Sequence, residues 1–386
     1  MSLASSSSFS PDDIRDLTGN IIDNLTLDER IATGSFGVVY RAFDSNSPTK
    51  EFAIKCLPKS NSLLRCLIEN EIDMLNRVAG HPNIATVHKI IDDKNFVFIV
   101  MDYFPFGDLR HAIQTRCISF RDDKLVKDFV DQILDAVEWC HKQRVFHRDL
   151  KPCNFLYSKD DKKICLTDFG LSSRNEYSRS RHCGTKPFMS PGTLPVLQIS
   201  RNICMLITGF TECYSLVGGY SPRCNDIWSL GIILIALITG SCPWSSPDFK
   251  GDDNYKEFLS DEEFLRKNLP ISKEANDLLR RILDPCPSSR ITLQDLRAEI
   301  ASIETFFMTD EELDNHPKAR AVAKWYASRL HLTEFTSDDI FVTARSSLRA
   351  PVMISKVKHV TQLNCATFGL PAAKSMHLAM PNLDIQ

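Results

Sequence analysis

The segment 147–154, HRDLKPCN, places a base, an acid, a cation and an amide within eight residues, between a predicted helix and a predicted strand. A second acid follows in Asp168-Phe169-Gly170, at a predicted strand end beside a glycine. Carboxylates accept hydrogen bonds and protons. An acid, a base, a cation and an amide in so short a segment therefore indicate a candidate catalytic site.

Two further features lie upstream of this segment. Gly34 and Gly37 stand at a strand-turn-strand, where the lack of a Cβ lets backbone N–H groups approach a phosphate. Alone, this pair is equally consistent with an ordinary hairpin. Lys55 lies inside the apolar strand segment Ala53-Ile54-Lys55. Most strand lysines face solvent, but one that points inward needs a carboxylate partner, and Glu71 on the inner face of the following helix is the candidate.

The order and spacing of these motifs, from the glycine turn through Lys55 and HRDLKPCN to Asp168, resemble the eukaryotic protein kinase superfamily from about Leu25 to Ile303. The resemblance implies ATP as the phosphate donor, Mg²⁺ as the metal and a protein hydroxyl as the acceptor. The LKP sequence is similar to the serine/threonine branch rather than the tyrosine branch.

The resemblance also implies a role for each matching residue. Asp149 would be the catalytic base, Lys151 would steady the transferring phosphoryl group, and Lys55 would hold the α- and β-phosphates while paired with Glu71. Asn154 and Asp168 would bind the metal ions. The implied nucleotide-binding residues are Ile31, Gly34, Gly37, Val39, Ala53, Lys55, Met101, Asp102, Phe104, Asp108, Leu156 and Asp168. Among these, Met101 would be the gatekeeper, and the Asp102 carbonyl and Phe104 amide would bind adenine.

The elements that position these residues can be predicted from periodicity. The segments 25–32, 37–43 and 51–57 are rich in strand-forming residues, and 97–103 predicts a further strand. Apolar residues recur at helical spacing over 63–78 and 123–142. We therefore expect an α+β protein, bilobal and protein-kinase-like, with a small β-rich lobe to about residue 103 and a larger helical lobe after it.

Composition excludes several other classes. Lys and Arg number 46 against 49 Asp and Glu, a net charge of −3, which does not indicate a nucleic-acid partner. The start MSLASSSSFSPDD has no cationic or apolar signal, and the apolar run 230–239 is too short to span a bilayer, so we expect no membrane partner. Thirteen cysteines without a CxxC pair favour reduced thiols in the cytoplasm or nucleus.

Two sequence departures concern binding. Ala32 replaces the first glycine of the family's loop, which we interpret as a modest effect on ATP affinity. Cys153 stands where many kinases carry an acid that favours a basic residue in the substrate, so an arginine-directed preference is in doubt.

The activation segment departs more strongly. After Ser190-Pro191 the family has a glutamate, but this chain has Gly192, and removal of residues 192–211 restores Ser-Pro-Glu in frame with Glu212. We interpret these residues as a translated short intron; a genuine lineage-specific insert is the alternative. In the family this glutamate pairs with a buried arginine, here Arg290, and loss of one partner of such a pair costs about 3–5 kcal/mol.

Two more positions carry paired interpretations. Asp226 matches the family's buried aspartate that anchors the catalytic loop, and it also fits the N-cap of the apolar helix. Ser178 and Ser180 are candidate phosphorylation sites that would recruit Arg148; the alternative is a merely basic, solvated loop.

The resulting prediction is an intracellular, monomeric, ATP- and Mg²⁺-dependent protein serine/threonine kinase. We expect a flexible Ser-rich tail over 1–21, a kinase domain over 22–304 with the insert 192–211, and an extension over 305–386 with one helix from Thr309 to Leu330 followed by disorder. The alternatives are a pseudokinase or scaffold, which the complete catalytic set disfavours, and an inactive splice product.

Overall fold

The computed structural model of the chain describes residues 16–34, 37–115, 121–180, 183–193 and 219–328. The part of the chain up to Asp102 forms a six-stranded antiparallel sheet in the order β1-β2-β3-β4-β6-β5. Strands β7 and β8, further along the chain, form a separate two-stranded sheet. The strands are β1 (Ile21–Ile22), β2 (Leu25–Thr33), β3 (Val38–Asp44), β4 (Ser47–Pro58), β5 (Val87–Asp92), β6 (Phe96–Asp102), β7 (Phe155–Ser158) and β8 (Lys163–Leu166).

Helices dominate the chain after β6. They are α1 (Ser62–Val78), which lies between β4 and β5, then α2 (Leu109–Thr115), α3 (Asp123–Lys142), α4 (Pro222–Thr239), α5 (Asp253–Ser260), α6 (Phe264–Asn268), α7 (Lys273–Ile282), α8 (Leu293–Ser302), α9 (Asp310–Asn315) and α10 (Pro317–Ser328). Short 3₁₀ turns occupy Pro152–Asn154, Lys186–Phe188 and Pro191–Thr193. The predicted α+β architecture, with a β-rich first part and a helical second part, is confirmed.

Strand β6 shows how the sheet is buried on both faces. Side chains alternate along a strand, so Phe98 and Val100 pack into one apolar cluster, while Val97, Ile99 and Met101 pack into the larger cluster shared with α1 and the helical part. This two-sided burial explains why the segment reads as a continuous apolar run rather than an alternating one.

The apolar run 230–239 belongs to α4, which extends from Pro222 to Thr239 and is buried over nearly its whole length. Ser221 caps its first turn, and Gly240 ends it with a left-handed φ of 73°. Among the described residues, α4 is the one helix long and apolar enough to cross a membrane, with 89% of it inside the protein, as in the core helix of a soluble protein.

The packed chain extends past both predicted domain boundaries. Leu17 is buried against the sheet, and its backbone N–H donates to the Tyr40 hydroxyl at 3.1 Å. At the other end, the helix predicted from Thr309 is divided into α9 and α10, because Pro317 cannot continue the hydrogen-bond ladder. A Cβ placed on Gly240 would lie 2.6 Å from the Tyr326 ring, so α10 packs directly against the end of α4.

Candidate active site

Lys55 of β4, Glu71 of α1 and Asp168 form one charged cluster between the sheet and the helical part. The Lys55 Nζ atom lies 2.5 Å from Glu71 Oε1 and 2.7 Å from Asp168 Oδ1. Lys55 and Glu71 are buried, at 8% and 3% exposure. The lysine therefore points inward, and the structure brings together the lysine, the glutamate and the acid that the sequence singled out.

The electrostatics of this cluster favour an ionised Lys55–Asp168 pair. Burial acts to lower the pKa of Lys55, but the charges of Asp168 and Glu71 outweigh it and raise that pKa. Loss of hydration acts to raise the pKa of Asp168, and the Lys55 charge reverses this and lowers it to about 2. Burial, followed by the charge of Asp168, raises the pKa of Glu71. Two carboxylates share one ammonium group, which explains the opposite shifts of the two acids.

Asp149 lies in a second hydrogen-bonded cluster. Its Oδ2 atom accepts from Lys151 Nζ at 2.7 Å, and its Oδ1 atom accepts from the Thr185 hydroxyl at 2.8 Å. Lys151 also donates to Thr185 at 2.9 Å, which closes a triangle of three side chains. The carboxylate of Asp149 is therefore fixed by a cation and a hydroxyl from two different chain segments.

Asp226 anchors the loop that carries Asp149. It is fully buried in α4, and its two carboxylate oxygens accept the backbone N–H groups of His147 and Arg148 at 2.9 and 2.8 Å. His141 Nε2 lies 2.9 Å from the same carboxylate. The alternative interpretation of Asp226 as the helix N-cap is wrong, because Ser221 caps α4 and Asp226 lies inside its first turns.

Backbone strain is concentrated at this site. Arg148 and Asp168 adopt left-handed φ angles of 70° and 63°, which are uncommon for residues with a side chain. Gly184 has a φ of 114°, and a Cβ there would lie 2.7 Å from the Arg148 carbonyl oxygen. The loop before Asp149 and the segment before Thr185 thus approach so closely that only glycine fits.

Phe169 sets the position of Asp168. Its ring is fully buried and packs edge-on against His147, with the ring centroids 5.1 Å apart. The His147 ring also lies within hydrogen-bond distance of the Thr167 carbonyl, at 3.0 Å. With the neighbouring aromatic side chain buried, the Asp168 carboxylate lies on the cleft side, against Lys55.

The glycine turn lies at the tip of the β2–β3 hairpin. The Gly34 N–H donates to the Gly37 carbonyl at 2.9 Å, and a Cβ on Gly37 would lie 2.4 Å from the Cys56 carbonyl. Gly37 is therefore required by close backbone packing, while the two residues between the glycines lie outside the described residues.

The predicted adenine-binding residues come from both parts of the fold. Ala53 pairs with Met101 across β4 and β6, and both are buried. Asp108 bridges to Leu156 of β7, so the segment after β6 closes onto the helical part. The remaining predicted residues, Ile31, Val39, Asp102, Phe104 and Leu156, are half-buried.

Asp108, one of the implied nucleotide-binding residues, also stabilises the start of α2. Its Oδ1 atom accepts the His111 N–H at 2.7 Å in the first turn of α2, and burial raises the pKa of its carboxyl group.

Asn154 and Asp168 fit a magnesium site by their donor atoms. Asn154 donates through Nδ2 to the Asp149 carbonyl at 2.8 Å, which directs its amide oxygen away as an acceptor. Asp168 uses Oδ1 for Lys55, and its side chain is 44% exposed to the cleft. Two protein oxygens suit Mg²⁺, which keeps waters and takes further ligands from substrate phosphates.

The structure describes only one partner of the predicted Glu212–Arg290 pair, because Glu212 and most of the insert lie outside the described residues. Arg290 is buried, and its guanidinium donates to the carbonyls of Asp284 and Cys224 at distances of 2.6–3.0 Å. Among the described residues no carboxylate lies within 4.0 Å of it, and burial lowers its pKa.

Sequence reasoning missed Thr185 and His141 as parts of the site. The Thr185 hydroxyl contacts both Asp149 and Lys151, although the sequence gives no local signal for this contact. His141 ends an amphipathic helix, where nothing in the sequence pattern signals its contact with Asp226.

A β-rich part and a helical part that meet at these two clusters define the protein kinase fold. The chain matches the model of the protein kinase domain family over residues 25–300, and it belongs to that family. The resemblance inferred from the motifs is thereby confirmed.

Curated relatives are similar over the same region. The chain is 34% identical over 290 residues to the negative regulator of sexual conjugation and meiosis of Schizosaccharomyces pombe, covering 74% of this chain and 62% of that protein. It is 30% identical to serine/threonine-protein kinase VHS1 of Saccharomyces cerevisiae, covering 74% and 71%. It is 29% identical to serine/threonine-protein kinase ULK3 of Homo sapiens, covering 72% and 54%. The chain thus spans between about half and three quarters of these relatives.

Proposed function

We propose that the chain is a protein serine/threonine kinase that transfers the γ-phosphoryl group of ATP to hydroxyl groups of protein substrates. The proposal rests above all on the geometry around Asp149, whose carboxylate is held by Thr185 and by Lys151, a cation whose charge also acts on Asp168. Two of the relatives are named serine/threonine-protein kinases, which supports the same activity.

Asp149 is the proposed base. One carboxylate oxygen is bound to Lys151 and the other to Thr185, so the group has a fixed orientation toward an incoming hydroxyl. A hydroxyl nucleophile gains most from correct placement, because phosphoryl transfer has a loose transition state. Lys151 also supplies positive charge for the transferring group.

Lys55 and Asp168 are the proposed phosphate and metal residues. Lys55 presents an ammonium group that the two acids keep protonated, and Gly37 of the glycine turn packs against the backbone of the adjacent Cys56. Asn154 and Asp168 would hold Mg²⁺, which neutralises phosphate charge when bound. Ile31, Val39, Ala53, Met101, Asp102, Phe104, Asp108 and Leu156 are the proposed adenosine-binding residues.

We further propose that the protein works as a monomer in the cytoplasm or nucleus, without nucleic-acid or membrane partners. Cys56, Cys140 and Cys165 are buried free thiols, in keeping with a reducing compartment.

The activity is tested by phosphate transfer from radiolabelled ATP to a generic protein substrate, followed by phosphoamino-acid analysis. We expect phosphoserine and phosphothreonine with the wild-type chain. The Asp149→Asn variant should bind nucleotide and transfer at least about a hundredfold more slowly. Asp160→Asn, in the exposed β7–β8 turn, is the matched control. Transfer by Asp149→Asn at the wild-type rate would refute the proposed role.

One observation supports a second candidate, an inactive splice product. Residues 192–211 separate Ser190-Pro191 from Glu212, and Arg290, which the resemblance pairs with that glutamate, is buried and donates to backbone carbonyls. Transfer by the variant lacking 192–211 but not by this chain would favour that candidate. Nucleotide binding without transfer by either chain would favour a scaffold.

A further inference from the structure

Arg148 carries a buried guanidinium group that is held by neutral oxygens. The residue is 8% exposed, and no carboxylate of the described residues lies within 4.0 Å of the guanidinium. Instead, Nε donates to the Tyr220 hydroxyl at 2.9 Å, and Nη2 donates to the Ser180 carbonyl at 3.2 Å. A buried cation is costly without such partners, so these two contacts decide where the side chain lies.

Tyr220 is itself rigidly held. It is 5% exposed, and its backbone forms an antiparallel bridge with Ser178, with both N–H···O distances at 2.9 Å. The next residue, Ser221, caps α4. The Arg148 guanidinium lies 5.9 Å from the Tyr220 ring centroid, which adds an attraction to the ring face. The hydroxyl therefore has a fixed position relative to the helical core.

The same tyrosine joins the activation segment to the catalytic loop. Ser178 is 7% exposed, and its hydroxyl accepts the Ser180 N–H at 3.2 Å, so the Ser178 side chain is buried and hydrogen-bonded within the segment. Arg148 directly precedes Asp149, and its own N–H is bound by Asp226. Both the backbone and the side chain of Arg148 are thus restrained, and this restricts the backbone of the adjacent Asp149.

We propose that Tyr220 is a positioning residue for Asp149, acting through Arg148. Its hydroxyl takes the place beside the guanidinium that a phosphate on Ser178 or Ser180 would take, so Arg148 is held without phosphorylation. This inference rests on the proposed function for its catalytic readout, while the contact itself can be measured separately.

The test compares the wild-type chain, freed of phosphate and checked by intact-mass spectrometry, with Tyr220→Phe and with Tyr220→Phe/Ser180→Glu. Tyr177→Phe is the matched control, since Tyr177 is an exposed tyrosine of the same segment. We expect Tyr220→Phe to lower kcat about tenfold while the KM for ATP changes less than about twofold. A carboxylate at position 180 should restore kcat, because it can replace the lost acceptor beside Arg148.

Hydrogen exchange separates this inference from the proposed function. The backbone N–H groups of His147 and Arg148 should exchange faster in Tyr220→Phe and at the wild-type rate in Tyr177→Phe. If the wild-type chain transfers no phosphate, the proposed function fails, and the exchange comparison still decides the contact. The inference is overturned if exchange and kcat are unchanged in Tyr220→Phe, if kcat falls with the melting temperature and is not restored by Ser180→Glu, or if the wild-type chain needs phosphate on Ser180.

Discussion

The Nζ atom of Lys55 lies 2.7 Å from the Oδ1 atom of Asp168, although 113 residues separate them in the chain. This contact joins the sheet to the helical part at the point where nucleotide phosphates are proposed to bind. It also leaves two carboxylates dependent on a single ammonium group, since Glu71 shares the same lysine.

Replacement of Lys55 by methionine should reduce both stability and activity. The change leaves Glu71 buried beside Asp168 without a cation, and removal of one partner of a buried ion pair costs about 3–5 kcal/mol. Urea denaturation measures the free energy of unfolding. Lys59→Met is the control, because Lys59 pairs with the exposed Asp92 and such pairs contribute about 1 kcal/mol or less. Equal losses in the two variants would contradict the role of burial.

The free energy of unfolding should depend on pH in part through the titration of Glu71. Its folded-state pKa is raised above 4.5, first by burial and then by the charge of Asp168, so the folded chain binds its proton more tightly than the unfolded chain. The contribution of the Glu71 carboxyl to the free energy of unfolding is present below pH 4.5 and is lost as the pH rises through the pKa of Glu71 in the folded chain. In Glu71→Gln this decline should be absent. The free energy of unfolding is measured at a series of pH values for the wild-type chain and for Glu71→Gln. The same pH dependence in both proteins would disprove the raised pKa of Glu71.

Asp226→Asn should destabilise the protein and slow catalysis together. Asp226 accepts two backbone N–H groups in a fully buried position, one on each oxygen, and in an amide one of these N–H groups would face an NH₂ donor instead of an acceptor. The unsatisfied donor should cost about 1–3 kcal/mol, and the loop before Asp149 should lose its fixed position. Thermal unfolding and kcat report the two effects. Asp160→Asn, an exposed change, should alter neither.

Removal of residues 192–211 should raise activity and solubility. The deletion restores Ser-Pro-Glu and brings Glu212 to the position that the resemblance pairs with the buried Arg290. It also removes an apolar stretch, which lowers the tendency to aggregate. Phosphate transfer and the soluble fraction on expression measure the outcome. In the shortened chain, Glu212→Gln should abolish the gain, and equal transfer by the full and shortened chains would refute the idea. Transcript sequencing tests the intron interpretation independently.

The main elements could be predicted from the sequence because their signals are local, and the catalytic set could be predicted because its motifs resemble those of the kinase family. Lys55 lies in an apolar strand and Glu71 on a helical apolar face, so Glu71 could be named as the partner of an inward-pointing lysine, but the inward direction itself was established only by the structure. Strand β5 was missed, because its residues are mostly exposed or half-buried and lack an apolar pattern. The contacts of Thr185 and Tyr220 could not be predicted, since they depend on how segments far apart in the chain approach one another.

Helix α4 has a consequence for how the two clusters respond to motion. Through Asp226 it fixes the Asp149 loop, and through Asn225 and Ser229 it binds the backbone of 188–190 at 2.7–2.9 Å. Lys55 and Glu71 instead belong to the sheet and α1. A small rotation between the two parts would therefore separate Lys55 from Asp168 while leaving Asp149 in place. The position of Asp149 is therefore fixed within the helical part, whereas the distance from Lys55 to Asp168 depends on how the sheet and the helical part are oriented.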